Sequence, residues 1–265
     1  MAAKQRKDLS IPWPFAPTEV ALNRDTNLLK IVAMLTMLCD HAGKMLFPQY
    51  HVMRIIGRIA FPIYAYCLAV GCVYTRNPLN YLRRMVLLAL ISQPIYAVSM
   101  AHEVTAMYAV SFAEHPVRAV FNFYIQSWNH PNVLASLSFG LLLIWALRER
   151  QIVLGLGVFV LIWLIKGKLD YGIRGIELML LFYVFCTKRW LSLPIVLAFM
   201  VWWGLTGSGY NYFGISFGIQ MFALMALPLI YIRTKAPLRL PKWLFYGFYP
   251  AHLMLILVLH RFVMR

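Results

Sequence analysis

The chain has 265 residues, of which 62% are hydrophobic and 13% are charged, with a formal charge of +16. A soluble domain of this size could not bury so much apolar surface, because much of a small fold stays in contact with water. The basic residues lie in short loops between apolar runs, as in the cytoplasmic loops of membrane proteins. Composition therefore argues against a soluble domain, and it gives no support to binding of nucleic acid.

Apolar runs of the length needed to cross a bilayer recur from Leu28 onward. They predict an all-α, polytopic transmembrane bundle of about nine spans (between eight and ten), each crossing about 30 Å of hydrocarbon. Most Lys and Arg residues then lie on one side, which places the N-terminus in the cytoplasm. The basic cluster from Lys166 to Arg174 opposes this orientation. The predicted spans cover residues 28–47, 54–75, 81–100, 132–148, 152–166, 171–187, 190–206, 211–232 and 242–262.

Residues 1–26 precede the first span and are predicted to form a cytosolic tail, with an interfacial piece around Trp13 and Phe15. No signal peptide is expected, because the first apolar run has full spanning length and lacks a cleavage site of small residues. Residues 27–265 are predicted to form one transmembrane domain. Its longest connection, 101–131, is too polar to span, and we expect an amphipathic segment on the outer surface.

The cysteines all lie inside apolar runs, and none of them forms a CxxC pair. A free cysteine behaves as a small hydrophobic residue. We therefore predict neither a disulfide framework nor a bound metal. The four cysteines are Cys39, Cys67, Cys72 and Cys186.

Ionisable residues inside a spanning helix are costly and are therefore candidates for function. The first predicted helix contains Asp40, His41 and Lys44, and His41 lies about 20 Å beyond Leu28 along the axis. Asp40 and Lys44 share one face, so an ion pair between them is the structural alternative. Otherwise Asp40 could orient His41, whose imidazole titrates near neutrality and suits a general base.

Two arginines open the second helix on one face, four residues apart. Arg58 would lie about 6 Å deep if the helix begins near Arg54. Arginine suits the recognition of phosphate or carboxylate. Snorkelling towards the outer headgroups is the alternative.

Further polar candidates lie on later helices. Asp170 and Glu177 flank the start of the sixth span, where a pair between Arg174 and Glu177 would be purely structural. His252 lies near the middle of the last helix, with Tyr249 beside it and Pro250 expected to bend the helix. Gln93 precedes a proline in the third span. Compatible depths for these groups and for His41 predict one hydrated cavity in the outer half of the bilayer.

Several motifs in order along the chain resemble those of the TraX family. They are the run from Leu28 to His41 with Phe47-Pro48, Arg54-Ile-Ile-Gly-Arg58-Ile-Ala-Phe-Pro62 with Tyr74-Thr-Arg-Asn77, Ala89-Leu-Ile-Ser-Gln-Pro94, Asp170-Tyr-Gly-Ile-Arg-Gly175 and Tyr249-Pro-Ala-His252. TraX proteins are associated with N-terminal acetylation of conjugative pilin. They also resemble, more distantly, acyltransferases of the acyltransferase-3 type, in which an intramembrane histidine is catalytic.

The resemblance implies an acetyltransferase of the bacterial inner membrane that uses cytosolic acetyl-CoA and acts on an outer acceptor, the N-terminus of a pilin. It assigns catalysis to His41 with Asp40, as a general base or a transient acyl carrier. It makes Arg54 and Arg58 contacts to donor or acceptor, and His252 matches the last-helix histidine of the family. The further residues expected to contact substrate are Lys44, Gln93, Asp170, Glu177, His252 and Tyr249, of which Glu177 matches no motif position. The alternatives are a glycan or lipid O-acetyltransferase, a small-anion carrier and a scaffold for pilus assembly.

Overall fold

The computed structural model describes residues 15–100, 105, 108–236, 238 and 241–263. The fold is mainly helical, and apolar runs bounded by polar residues form its helices. The helices are α1 (Thr26–Met45), α2 (His51–Gly57), α3 (Ala60–Tyr74), α4 (Pro78–Ser99), α5 (Pro116–Ser127), α6 (Val133–Arg148), α7 (Ile152–Ile165), α8 (Gly172–Val184), α9 (Arg189–Leu205), α10 (Leu227–Tyr231) and α11 (Lys242–Val263). A hairpin of β1 (Gly209–Tyr212) and β2 (Ile215–Gly218) and a 3-10 helix (Ile219–Ala226) separate α9 from α10.

Side-chain caps fix where three of the long helices begin. The Asp25 carboxylate accepts from the backbone N–H of Leu28 at the start of α1. Asn77 and Asn132 cap α4 and α6 in the same way. Each cap satisfies a backbone donor that the first helical turn leaves unpaired.

Helix α3 forms the centre of the bundle. It packs on α1, α6 and α8, and nearly all of its side chains are buried. Tyr66 is fully buried at its midpoint, where its ring meets the edge of Phe182. A helix buried on all sides needs no polar face, which explains why its sequence is apolar throughout.

The prediction of one spanning helix over residues 211–232 is wrong for the first part of that segment. Residues 209–218 form the antiparallel hairpin, with Gly209 paired to Gly218 and Tyr212 paired to Ile215. Gly209 and Gly214 adopt positive φ angles of 120° and 78°, which glycine tolerates without steric cost. The turn exposes Phe213, of which 91% is accessible.

The described part of the N-terminal segment packs into the bundle and is not a free tail. Val20, Leu22 and Asn23 are completely buried. The backbone N–H of Ala21 donates to the Cys186 carbonyl, and that of Asn23 donates to the Ile230 carbonyl. Residues 1–14, including Trp13, lie outside the described residues.

Among the described residues, two helical stretches are long and apolar enough to cross a membrane, His51–Tyr74 and Trp243–Phe262. Four shorter apolar helices accompany them. Helix α7 presents an apolar surface outward, since Val153 is 86% exposed and Leu164 is 67% exposed. Exposed apolar area on this scale marks a membrane or protein contact.

Within the long connection that was predicted to be amphipathic, residues 116–127 form α5. Val117 and Phe121 are exposed on this helix, while Ala119 is buried. The Tyr124 hydroxyl donates to the Leu90 carbonyl of α4 and holds the helix against its neighbour.

Candidate active site

A long cavity of about 510 Å³ runs through the bundle beside α3. Side chains from Ala60 to Tyr74 line it, so it extends about 21 Å at 1.5 Å per residue. Helices α1, α2, α4, α6 and α11 form most of the other walls. The charged side chains that line it are at its two ends, on either side of an apolar and aromatic middle.

His41 lines one end of the cavity and contacts a second histidine from the last helix. Its Nδ1 lies 2.8 Å from Nε2 of His252. Nδ1 of His252 in turn lies 2.8 Å from the backbone carbonyl oxygen of Phe248. His252 is 3% exposed and does not line the cavity, so the prediction that it contacts a substrate is not supported by the geometry.

Asp40 pairs with arginines, not with His41 or Lys44. Nη2 of Arg58 donates to both of its carboxylate oxygens, and Nη1 of Arg54 lies 3.2 Å from Oδ2. The predicted role of Asp40 in orienting His41 is therefore wrong, and His252 occupies that position. Arg58 does not snorkel, because it is 6% exposed and its charge is compensated inside the protein.

Close packing between α1 and α2 brings Asp40 to the arginines. A Cβ atom on Gly57 would overlap the Asp40 side chain, and one on Gly43 would lie 2.6 Å from Cβ of Met53. Only glycine lets the two helices approach this closely. Gly43 and Gly57 thus bring the Asp40 carboxylate of α1 within reach of the two arginines that follow the next turn, Arg54 and Arg58.

Lys44 and Asp170 complete this charged end. Both side chains are exposed to the cavity that they line, and within the described part of the chain neither has an ion-pair partner. Asp170 and Tyr171 also line a second, more open cavity of about 380 Å³. The Tyr171 ring stacks on Phe61, with centroids 3.7 Å apart, and fixes the segment beside the cavity.

The opposite end of the cavity carries two cations, Lys30 and Arg84, of which Lys30 was not predicted from the sequence to lie in the site. Nζ of Lys30 lies 5.1 Å from the centre of the Phe245 ring, and Cζ of Arg84 lies 6.0 Å from that of Tyr246. Such cation–π contacts hold the cations towards α11. The signal for Lys30 in the sequence was its position within the first turns of an apolar helix.

Gln93 has a structural role and does not line the cavity. Its Nε2 donates to the carbonyls of Ser127 and His130, and its Oε1 accepts from the backbone N–H of Asn132. These bonds use both N–H donors of the amide and engage its oxygen. The predicted substrate contact is therefore replaced by an anchor that joins α4 to the start of α6.

Glu177 also lies away from the cavity. The predicted partner, Arg174, donates instead to the Thr206 hydroxyl and lies over the Trp202 ring, 4.7 Å from its centre. Tyr249, in contrast, lines the cavity, and its buried hydroxyl has no hydrogen-bond partner among the described residues. In the described chain, no three His, Cys, Asp or Glu side chains could together hold a metal ion.

Taken together, these observations define a mainly helical protein with two helical stretches long and apolar enough to cross a membrane among its described residues, and with His41, which contacts His252, at one end of an elongated internal cavity. Comparison with known proteins identifies the family. The chain belongs to the TraX family, because the family model described as TraX protein matches residues 25–260.

Two curated relatives match short parts of the chain. A probable fimbrial assembly protein FimC, serogroup H1, of Dichelobacter nodosus is 29% identical over 79 residues, covering 28% of this chain and 32% of the relative. An uncharacterized protein of Rickettsia prowazekii is 48% identical over 40 residues, covering 15% of this chain and 16% of the relative. The chain thus matches about a third or less of each relative. No solved structure matches it significantly.

Proposed function

We propose that the protein is a multi-pass acetyltransferase of the bacterial inner membrane. It transfers the acetyl group of cytosolic acetyl-CoA to an acceptor on the outer side, the N-terminus of a pilin. The observation that carries the proposal is the cavity, which joins a basic end to a histidine through the bundle. Membership of a family associated with pilin acetylation and the likeness to a fimbrial assembly protein support the choice of acceptor.

The basic end suits the phosphates of the donor. Lys30 and Arg84 are the charged residues lining that end, and cations at a cavity mouth raise the local concentration of an anionic substrate. Lys30 precedes His41 by about 16 Å along α1. An elongated donor could keep its phosphates at Lys30 and Arg84 while its thioester reaches the histidine.

The histidine end suits the transfer itself. A neutral amine of the acceptor attacks the thioester carbonyl, and His41 accepts the proton that the amine loses. A C–N bond forms, the C–S bond breaks, and the proton passes from His41 to the sulfur of CoA. A positioned base of this kind contributes about 10² to 10⁴ in rate.

Charge distribution supports a cytoplasmic position for the basic end. The Arg148 guanidinium donates to the carbonyls of Cys72 and Thr75, and that of Arg233 donates to the Ala21 carbonyl. The Tyr74 hydroxyl accepts from the backbone N–H of Val20, so the segment before α1 and the ends of α3 and α6 meet at one pole. Basic residues concentrated at one end of a helical bundle face the cytoplasm.

The test uses the full chain in lipid nanodiscs with acetyl-CoA labelled in its acetyl group. Acceptors are a pilin N-terminal peptide, the same peptide with a blocked N-terminus, and a glycan or lipid bearing hydroxyl groups. We expect label only on the free peptide, and none with His41→Ala. The control is His260→Ala, because His260 does not line the cavity. Transfer by His41→Ala at the wild-type rate would refute the mechanism.

Transport of a small anion is the second candidate, and the excess of cations along the cavity favours it. Asp40 compensates only part of the charge of Arg54 and Arg58, and Lys44 has no ion-pair partner in the described residues. Uptake of a labelled anion into proteoliposomes without a covalent product would support transport over transfer.

A further inference from the structure

We propose that His252 is a positioning residue, which holds a proton on Nδ1 of His41 and so leaves Nε2 of His41 as the basic nitrogen. The catalytic consequence rests on the proposed function. The position of the protons rests only on two hydrogen bonds, one between His41 and His252 and one between His252 and the Phe248 carbonyl. It can therefore be tested separately from activity.

The Phe248 carbonyl determines which nitrogen is the donor in each of these two hydrogen bonds. A carbonyl oxygen can only accept a hydrogen bond, so Nδ1 of His252 carries a proton and donates it to that oxygen over 2.8 Å. A neutral imidazole then has an unprotonated Nε2, which can only accept. Nδ1 of His41, at 2.8 Å from that Nε2, must be the donor.

His252 is expected to be neutral, because a cation would be costly in its surroundings. The side chain is 3% exposed, and burying a charge without a counter-ion is strongly unfavourable. The nearest carboxylate along α1, Asp40, is already engaged by Arg54 and Arg58.

The two imidazoles meet edge to edge. Their planes differ by 10°, and the distance between their bonded nitrogens, 2.8 Å, is shorter than the approximately 3.5 Å of packed ring faces. On its other side His252 is held by the Phe248 ring, whose centroid lies 4.9 Å away. The Tyr249 ring packs at a steep angle of 67°. This packing fixes the orientation of the accepting nitrogen.

The arrangement has a consequence for catalysis. When Nε2 of His41 takes a proton from the acceptor, the resulting imidazolium keeps its hydrogen bond from Nδ1 to His252. The neutral lone pair of His252 then orients and stabilises the cation, as a carboxylate does in a Ser-His-Asp triad. His252 does this without contacting substrate, because His41 lies between it and the cavity.

The kinetic test compares two replacements at position 252 in full-length protein in nanodiscs. His252→Gln retains a group that can accept from His41, whereas His252→Leu removes it. We expect His252→Leu to lower kcat by about 100-fold or more with an unchanged KM for acetyl-CoA. His252→Gln should recover most of that loss, and His260→Ala serves as the matched control.

The second measurement is the ¹⁵N spectrum of the histidine rings in the wild-type protein, assigned with the His41→Gln and His252→Gln variants. We expect His41 to show an N–H at Nδ1 and an unprotonated Nε2. The opposite tautomer would overturn the proposal even if His252→Leu fails to fold. Wild-type kcat in His252→Leu, with His41→Ala inactive, would overturn it too while leaving the proposed function standing. Activity in His41→Ala would instead refute the proposed function.

Discussion

Replacement of Tyr249 by phenylalanine should separate stability from activity. The side chain is 4% exposed, and its hydroxyl faces no hydrogen-bond partner among the described groups. An unpaired buried hydroxyl costs about 1–3 kcal/mol. Removing it while keeping the ring should therefore leave the free energy of unfolding unchanged or raise it by up to about that amount.

Activity should fall in the same variant, because Tyr249 lines the cavity in which the donor is proposed to lie. A hydroxyl without a partner in the protein is available to donate to the substrate. Loss of an ordinary hydrogen bond, about 0.5–1.5 kcal/mol, would lower kcat/KM by roughly 2- to 13-fold. If the hydroxyl contacts the developing oxyanion, the loss should appear in kcat and reach about 100-fold.

Tyr66→Phe is the matched control for this prediction. Tyr66 is also buried on the bundle axis, but its hydroxyl donates to the Asn23 carbonyl over 2.6 Å and does not line the cavity. Its loss should lower the free energy of unfolding by about 1–3 kcal/mol. Steric trapping in bicelles measures both variants. Equal destabilisation of the two, with full activity in Tyr249→Phe, would refute the reasoning.

Three other changes test the two ends of the cavity. Asp40→Asn leaves the buried Arg58 without a counter-ion and should lower the free energy of unfolding by about 3–5 kcal/mol, measured in the same bicelles. A loss under about 1 kcal/mol would contradict a buried ion pair between Asp40 and Arg58. Gly57→Ala should lower acetyl transfer, because the added methyl group pushes against Asp40 and so displaces α1, which also carries His41; helical content, followed by circular dichroism, should persist. Replacing Lys30 and Arg84 by Gln should raise the KM for acetyl-CoA and leave the KM for the pilin peptide unchanged. An unchanged KM for acetyl-CoA would show that these two cations do not bind the donor.

Much of the helical architecture could be predicted because long apolar runs leave few alternatives in a bilayer. The helices at 26–45, 78–99, 133–148 and 189–205 lie within a few residues of the predicted spans. Depth along a helix also predicted that Asp40 and Arg58 would share one region. Both inferences use a fixed rise per residue, which is local information.

Partners between distant segments could not be predicted in this way. His41 and His252 are separated by 211 residues, and the rise per residue gives depth along a helix but neither its tilt nor its rotation. Depth alone thus puts His41 about 20 Å beyond Leu28 and His252 near the middle of the last helix, and it does not indicate that the two rings are in contact. Gln93 shows the same limit, since its three partners lie in a connection whose path no periodicity describes.

The hairpin at 209–218 was missed for a different reason. Apolar content cannot distinguish a strand from a helix in a short segment, and the aromatic residues of this segment are compatible with either structure. The available signal was the spacing of Gly207, Gly209 and Gly214, which is unusual for a helix and typical of turns. The hairpin and the 3-10 helix place Gln220 beside Asp170 at the more open cavity. The departure from regular helix thus lies at the more open of the two cavities, which shares Asp170 and Tyr171 with the cavity that His41 lines.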